Sequence, residues 1–243
     1  MSRRLLIDAG NSRLKWVVVE GGRWQMQGHC DYADWSGLAE QMTSGTRCYI
    51  ASVTRSAHEQ QLAALLASAG LAASWLTAEA GFSDLKNTYI NPQQLGVDRW
   101  MGLIAARRRT RDAVLVVSVG TAMTVDALSS DGVFLGGVIV PGTGLMRQAL
   151  QQGTARVEVA AGHWQAFPRC TADAVESGIV AALCGAIQQQ HDRLAEASGR
   201  TPRCLLTGGD AGLLLPHLNI SAEQVPELVL EGLDCVAGEG EKR

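Results

Sequence analysis

LLIDAGNSRLKWVVV, residues 5–19, consists of an apolar run, a turn that contains Gly10 and Asn11, and a second apolar run. VLVVSVGTAMTVDAL, residues 114–128, repeats this pattern around a turn at Gly120 and Thr121. Short runs rich in Val, Ile and Leu on both sides of a glycine-containing turn are typical of β-hairpins. Hairpins are common, but this one recurs about 110 residues later in a chain of 243 residues. The recurrence favours a duplication in which one hairpin opens each half of the chain.

Further strands and helices alternate along the rest of the chain. The predicted strands are Arg4–Asp8, Lys15–Glu20, Cys48–Ser52, Ala113–Val119, Thr124–Leu128, Gly136–Val140 and Arg203–Thr207. The predicted helices are Ala57–Ala69, Gly96–Arg109, Gly142–Gln151, Thr171–Ala197 and Ala222–Ala237. This mixture predicts an α/β class. We expect two domains, residues 1–110 and residues 111–243.

The composition is that of an ordinary soluble globular protein. Apolar residues make up 47% and charged residues 19%, and the net charge is -3. Such a chain lacks the positive charge that would hold nucleic acid or an anionic membrane. It also contains no run of about 18 apolar residues, so no membrane-spanning helix is predicted. The six cysteines lie far apart without metal-ligand spacing, which indicates free thiols in a reducing cytoplasm.

The two predicted turns carry groups that suit phosphate. Backbone N–H groups of a small-residue turn can approach phosphate oxygens closely, and Asn11, Ser12 and Thr121 add side-chain donors. Lys15 can reach the terminal phosphates of a nucleotide, and Asp8 can hold Mg²⁺ directly or through water. The alternative is an ordinary Asp-Gly turn followed by a solvated lysine. The motif alone does not decide between the two.

The segment TYINPQQLGVDRW, residues 88–100, places Asp98 and Arg99 in the first turn of a predicted helix. An acid there complements the helix dipole, so one interpretation is a capping carboxylate followed by a surface arginine. The other interpretation is functional, because a helix N-terminus also binds anions. A carboxylate in that position can take a proton from an attacking hydroxyl, and the guanidinium can hold an anionic substrate or the transferred phosphoryl group.

Two glycine-rich segments follow predicted strands: residues 131–150, DGVFLGGVIVPGTGLMRQAL, and residues 205–212, LLTGGDAG. Glycines at strand-to-helix turns allow close backbone approach, either to a neighbouring element or to a ligand. The GxGxxG motif of dinucleotide folds and the HRD and DFG motifs of protein kinases do not occur. The arginines at Arg107–Arg111 end a predicted helix, where cations complement the dipole, and we interpret them as structural.

Six motifs follow one another along nearly the whole chain. They are DAGNSRLK (Asp8–Lys15), LGVDR (Leu95–Arg99), VGTAMTVDAL (Val119–Leu128), GGVIVPG (Gly136–Gly142), TADAVESG (Thr171–Gly178) and TGGD (Thr207–Asp210). In this set and order the chain resembles the type III pantothenate kinases, also known through their Bvg accessory factor relatives. The combination of LGVDR with the second hairpin and GGVIVPG is specific, whereas any single motif is not.

The resemblance implies an actin-like ATPase fold, that of the acetate and sugar kinase/Hsp70/actin proteins, with two ribonuclease H-like halves around a cleft. It implies a homodimer that transfers the γ-phosphoryl group of ATP to the 4'-hydroxyl of pantothenate. This reaction is the first committed step of coenzyme A biosynthesis.

Matching the motifs also implies roles for individual residues. Asp98 would be the general base. The residues expected to contact ATP are Asp8, Ala9, Gly10, Asn11, Ser12, Arg13, Leu14, Lys15, Gly120 and Thr121. The residues expected to contact pantothenate are Tyr89, Gly96, Val97, Asp98, Arg99 and Thr171, where the dimer partner is a candidate source of Tyr89 or Thr171. Mg²⁺ would accompany ATP at Asp8 and Asp126.

One position departs from the family pattern. Many relatives have an aspartate two residues before the Gly-Thr of the second hairpin, where it binds a monovalent cation such as K⁺ or NH₄⁺. Here that residue is Ser118. A hydroxyl is a poorer ligand than a carboxylate for a hard cation, so we expect weak or absent activation by K⁺.

Two other functions remain open at this point. One is a regulatory protein of the same fold that binds a nucleotide without catalysis. The presence of Asp8, Asp98, Arg99 and Thr121 argues against it, because a regulator that had lost catalysis would be expected to lack at least one of them. The other is a kinase of this fold that phosphorylates a different small hydroxyl compound, since only the resemblance connects LGVDR with pantothenate.

Overall fold

The computed structural model describes residues 3–153 and 162–240, which form two compact units. The first unit contains residues 3–83, Asn87–Arg109 and residues 227–240. The second contains Asp84–Lys86 and the described part of Thr110–Pro226. The chain changes unit next to the expected boundary at residue 110. Its last described residues, which we expected in the second half, belong to the first unit.

The elements alternate as an α/β class requires. The strands are β1 (Arg3–Ala9), β2 (Leu14–Glu20), β3 (Arg23–Cys30), β4 (Arg47–Ser52), β5 (Ala73–Trp75), β6 (Gly81–Phe82), β7 (Leu85–Asn87), β8 (Val114–Val119), β9 (Ala122–Leu128), β10 (Val133–Pro141), β11 (Arg203–Thr207) and β12 (Glu223–Gln224). The α-helices are α1 (Ser36–Ala39), α2 (Ser56–Ser68), α3 (Val97–Arg109), α4 (Thr143–Gly153), α5 (Thr171–Ser198), α6 (Ala211–Leu214) and α7 (Leu228–Gly240). Short 3₁₀ helices occur at Pro92–Gln94 and Leu215–His217.

The first unit is built on a mixed sheet with the strand order β3-β2-β1-β4-β5. Strands β1, β2 and β3 pair antiparallel, whereas β4 pairs parallel with β1 and β5 parallel with β4. Consecutive residues of the central strands are buried, so both faces of the sheet are covered. On one face Leu5, Ile7 and Ile50 pack with Leu62 and Leu66 of α2. The buried face of the sheet fixes the register of the first hairpin.

The second unit repeats this topology. Its sheet has the order β12-β11-β8-β9-β10-β7, in which β8, β9 and β10 pair antiparallel and β11 and β12 add parallel strands next to β8. The five strands from β10 to β12 therefore correspond one for one to the five strands of the first sheet. The core contains Leu115, Val117 and Leu206 from the sheet and Leu183 and Ile187 from α5. The duplication predicted from the two hairpins is present in the structure.

Most predicted elements occur within a few residues of their expected ends, and two differences have local causes. Strand β3, RWQMQGHC, was not predicted because its sequence is largely polar. It lies at the edge of the sheet, and most of its side chains are exposed, so it lacks the apolar pattern of a buried strand. The helix predicted from Ala222 begins only at Leu228, because β12 and Pro226 precede it. Among the described residues, no helix is long and apolar enough to cross a membrane.

Candidate active site

The first hairpin places a carboxylate opposite an ammonium group. Asp8 pairs with Lys15 across β1 and β2, and Ala9 pairs with Leu14 at the end of the ladder. The turn is closed by the N–H of Gly10, which donates to the carbonyl oxygen of Arg13 at 3.1 Å. A β-carbon at Gly10 would lie 3.2 Å from that oxygen. The residues of the turn tip, Asn11, Ser12 and Arg13, are exposed.

Lys15 is held by an acidic residue from the other end of the chain. Its Nζ lies 3.1 Å from Oε2 of Glu227, and both side chains are about one-quarter exposed, at 25% and 26%. Glu227 directly precedes α7 and is 212 positions from Lys15. Sequence reasoning did not identify it, because no local motif marks a contact over that separation.

The pKa of Asp8 is raised from 3.8 to about 7. Burial of the carboxyl group is the largest cause, and the negative charges of Asp98 and Glu227 act in the same direction. The positive charge of Lys15 opposes them. The structure therefore brings Asp8 and Asp98 together in one electrostatic environment, and a cation bound there would be stabilised by both carboxylates.

Asp98 lies in the first turn of α3, as predicted. Its Oδ1 accepts a hydrogen bond from the backbone N–H of Arg99 at 2.8 Å. Burial raises its pKa, and the N–H and guanidinium groups of Arg99 oppose that effect. Gly96 leaves space for the carboxylate, since a β-carbon there would lie 2.7 Å from Oδ1 of Asp98. A desolvated carboxylate is a better proton acceptor than an exposed cap, which favours the functional interpretation.

Arg99 is buried and is not a surface arginine. Only 6% of the residue is exposed, and its Nη1 donates to the hydroxyl of Tyr89 at 2.9 Å. Asn87 orients Tyr89, because its Oδ1 accepts from the backbone N–H of Tyr89 at 3.1 Å. The amide nitrogen of Asn87 donates at 3.1 Å to the carbonyl oxygens of Glu79 and Pro92. Asn87 was not singled out from the sequence.

Tyr32 contacts the backbone of the first turn. The hydroxyl of Tyr32 donates to the carbonyl oxygen of Gly10. The Tyr32 ring stacks on His58 with 3.8 Å between ring centroids, and Nδ1 of His58 is 3.0 Å from the hydroxyl oxygen of Thr54. Burial raises the pKa of Tyr32, and the charge of Asp8 adds to this effect. Tyr32 was not predicted as a site residue.

The second hairpin forms a corresponding turn in the second unit. Strands β8 and β9 pair up to Val119 and Met123, and the N–H of Gly120 donates to the carbonyl oxygen of Ala122 at 3.0 Å. Thr121 is exposed at the turn. The N–H of Gly142 donates to the carbonyl oxygen of Thr121 at 2.9 Å, so the start of α4 packs directly on this turn.

Four other predicted residues have distinct settings. Val97 is buried at the start of α3, and Thr171 is exposed at the start of α5. Ser118 is half-buried in β8. Asp126 is only 1% exposed within β9, paired with Val116 and Gly137. The predicted Mg²⁺ contact of Asp126 stays a prediction.

The arginines at Arg107–Arg111 make structural contacts, as we interpreted them. Arg109 forms a two-pronged ion pair with Glu231 of α7, with both N–O distances 2.6 Å. Arg111 pairs with Asp84. All six cysteines lie in the described part of the chain and none forms a disulfide.

Comparison with known proteins identifies a family. A family model described as type III pantothenate kinase matches residues 4–193. The type III pantothenate kinase of Thiobacillus denitrificans is 60% identical over 237 residues, covering 98% of this chain and 97% of that protein. The type III pantothenate kinase of Chromobacterium violaceum is 44% identical over 237 residues, covering 96% of this chain and 99% of that protein.

Solved structures are similar over the same length. A Campylobacter jejuni protein described as a Baf family transcriptional activator matches with a TM-score of 0.66 and 21% identity, covering 98% of this chain and 100% of that chain. A Sinorhizobium meliloti protein described as a 2-dehydro-3-deoxygalactonokinase matches with a TM-score of 0.59 and 14% identity, covering 97% of this chain and 98% of that chain. At these identities the likeness concerns the fold. Together with the family model, it confirms the predicted α/β actin-like ATPase fold.

Proposed function

The chain belongs to the type III pantothenate kinase family, and we propose that it transfers the γ-phosphoryl group of ATP to the 4'-hydroxyl of pantothenate with Asp98 as the general base. Its activity is ATP-dependent phosphorylation of pantothenate in coenzyme A biosynthesis. The sequence relatives are named as kinases, and the Campylobacter jejuni structure described as a transcriptional activator is similar in fold alone, at 21% identity.

The observation that carries the proposed mechanism is the environment of Asp98. Its carboxylate is desolvated at the start of α3, its pKa is raised, and it lies next to the buried Arg99. In the reaction, Asp98 accepts the proton of the 4'-hydroxyl while that oxygen forms a bond to the γ-phosphorus. The bond from phosphorus to the bridging oxygen breaks, and ADP leaves with that electron pair. A base in this role contributes about 10²–10⁴-fold to the rate.

The first turn is the proposed site for the terminal phosphates. The N–H groups from Asn11 to Arg13 and the ammonium of Lys15 would offset the negative charge of the phosphate oxygens. The residues around Asp8 fit Mg²⁺, because two desolvated carboxylates that repel each other gain from a cation. Asp8 would hold the ion directly or through water, and the ion would reduce charge on the phosphates. Gly120 and Thr121 are the proposed ATP contacts of the second hairpin.

Pantothenate is an anion, and the environment of Arg99 suits an anionic acceptor. Arg99 and Tyr89 are already joined by a hydrogen bond, which limits the freedom of both side chains before the substrate binds. Gly96, Val97 and Asp98 lie in the same stretch of backbone, and Thr171 is a further proposed contact. We also propose a homodimer, as the family resemblance implies. We propose a cytoplasmic location, which agrees with the six free cysteines.

We further propose that catalysis depends little on monovalent cations. Ser118 is half-buried in β8, where it pairs with Thr124 of β9 and Thr207 of β11. A neutral hydroxyl in this position supplies no charge to balance K⁺ or NH₄⁺.

The test of this function is ADP release from MgATP with and without pantothenate, measured in a coupled assay. We expect release that requires pantothenate, together with a phosphorylated product whose mass is that of phosphopantothenate. ADP release that requires another hydroxyl compound, and not pantothenate, would mean that the kinase phosphorylates a different substrate. Folded protein that binds ADP but releases none from ATP would support the regulatory alternative.

A further inference from the structure

Three backbone segments meet at the second hairpin turn. One is the turn itself, from Val119 to Ala122. The second is the end of β10 and the start of α4, where the N–H of Gly142 donates to the carbonyl oxygen of Thr121 at 2.9 Å. The third is the turn after β11, where the N–H of Asp210 donates to the carbonyl oxygen of Val119 at 3.1 Å. The hairpin turn is therefore held by a backbone hydrogen bond on each side.

A side-chain hydrogen bond joins the two outer segments. The hydroxyl of Thr143 donates to Oδ2 of Asp210 at 2.6 Å. Thr143 is the first residue of α4 and is only 5% exposed, whereas Asp210 is half-buried, so this is a part-buried, charge-assisted hydrogen bond. Asp210 and Gly142 each bond to the turn, and the Thr143–Asp210 hydrogen bond links the two segments that contain them.

The three segments are packed without space between their backbones. A β-carbon at Gly142 would overlap the carbonyl oxygen of Gly120, and one at Gly208 would overlap the backbone of Val119. Gly208 also has a φ of 95°, which glycine adopts readily and other residues rarely do. In such close contact, a shift of either outer segment displaces the turn.

We propose that Thr143, through its hydrogen bond to Asp210, is a positioning residue that sets the geometry of the Gly120–Thr121 turn for nucleotide binding. This inference rests on the proposed function, because it takes Gly120 and Thr121 as ATP contacts. Thr143 itself is buried and acts through the turn. Its loss weakens the binding of ATP and ADP and leaves pantothenate binding unchanged.

The test compares four proteins: the unaltered chain, Thr143→Val, Thr143→Ser and the control Thr110→Val. Thr110 is a good control because it is also buried and its hydroxyl also donates to an aspartate, Asp112, at 3.3 Å in the same unit. It lies before β8, at the end of that strand remote from the turn. The main measurement is ADP binding by calorimetry, which does not depend on catalysis, followed by KM for ATP and for pantothenate.

We expect Thr143→Val to weaken ADP binding and raise KM for ATP about tenfold, as the loss of one hydrogen bond to a charged group predicts. For Thr143→Val, KM for pantothenate should stay within about twofold of the unaltered chain. Thr143→Ser should recover most of the ADP affinity because it keeps the hydroxyl. Thr110→Val should bind ADP like the unaltered chain. Equal ADP affinity of Thr143→Val and the unaltered chain would overturn the inference, as would equal losses in Thr143→Val and Thr110→Val.

A second variant covers the case in which Thr143→Val does not fold. Asp210→Asn keeps an acceptor oxygen but removes the charge, and we expect it to weaken ADP binding about threefold. Unchanged binding in this variant would contradict the proposed role. If the unaltered chain binds ADP but shows no pantothenate-dependent turnover, the proposed function fails while the ADP titrations still test Thr143.

Discussion

The two hairpin turns have the same strand topology but are supported in different ways. The first turn carries the charges, with Asp8 opposite Lys15, and its backbone is held by the hydroxyl of Tyr32. The second turn has no charged residue between Val119 and Ala122 and is held by backbone packing at Gly142 and Gly208. The first turn is therefore distinguished by its charged side chains and the second by its close backbone packing.

This difference has a consequence for stability. Burial and the negative charges of Asp98 and Glu227 raise the pKa of Asp8, so ionised Asp8 destabilises the ligand-free protein. The close backbone packing of the second turn has no such cost, but it tolerates no additional atoms. Removal of the Asp8 charge should therefore stabilise the ligand-free protein, whereas a β-carbon added at Gly142 should destabilise it.

Among substitutions that distinguish the two turns, the largest effect is expected for Asp8→Asn. Turnover should fall about 100-fold, because the variant loses a charge that acts on Mg²⁺ and the phosphates. The folded protein should become more stable above pH 7, by about 1 kcal/mol or about 2–4 °C in Tm.

The direction of this stability change follows from the pKa of Asp8. That pKa is raised from 3.8 to about 7 in the folded protein, so the folded state binds the proton more tightly than the unfolded chain. Protonation of Asp8 stabilises the folded state of the unaltered protein. This contribution is fully present below about pH 4 and is lost as the pH rises to about 7. Thermal unfolding of both proteins at pH 4–9 checks it, with exposed Asp131→Asn as the control. A variant less stable than the unaltered chain at pH 8 would contradict this account.

The next effect contrasts one glycine from each turn. Gly142→Ala should destabilise the protein by about 2–3 kcal/mol, because the new β-carbon overlaps the backbone of Gly120. Gly10→Ala should cost less than about 1 kcal/mol, because its β-carbon meets one oxygen at 3.2 Å and small adjustments relieve it. Urea unfolding measures both values. Equal losses would mean that the two turns do not differ in packing.

A smaller effect is expected for Tyr32→Phe. The change removes the hydrogen bond to the carbonyl oxygen of Gly10 but keeps the ring that stacks on His58. The loss of one hydrogen bond, about 1 kcal/mol, should raise KM for ATP about fivefold with little change in kcat. Tyr49→Phe on β4 is the matched control. The same KM for ATP in both variants would remove Tyr32 from the support of the turn.

The smallest effect concerns monovalent cations. Replacement of K⁺ by a large inert cation such as tetramethylammonium should change the rate less than about twofold, since Ser118 offers no carboxylate. The assay is run at constant ionic strength. Activation by K⁺ of about tenfold or more would show that this unit binds the ion without an aspartate at residue 118.

The sequence predicted the strands of both hairpins well, because their Val, Ile and Leu runs follow from burial on the sheet. Local motifs also singled out Asp8, Lys15 and Asp98, whose roles in the site stay predictions. Tyr32 and Glu227 were not predictable in this way, since Tyr32 reaches a carbonyl 22 positions away and Glu227 pairs with Lys15 over 212 positions. Such contacts depend on how β3 and α7 return to the first sheet, which the local pattern does not encode.

Asp126 shows a different limit. Its motif suggested a metal ligand, and the structure shows that only 1% of the residue is exposed within β9. Its contact with Mg²⁺ stays a prediction, because a motif gives the residue type without its surroundings.

The central claim is that Asp98 is the base, and the most direct test is the Asp98→Asn variant. Pantothenate binding is measured by calorimetry and kcat by coupled ADP release on the same preparation. We predict that kcat falls about 10²–10⁴-fold, while the dissociation constant for pantothenate stays within about threefold, because the amide keeps the size and one acceptor oxygen of the carboxylate. A variant with near-normal kcat would contradict the assignment of Asp98.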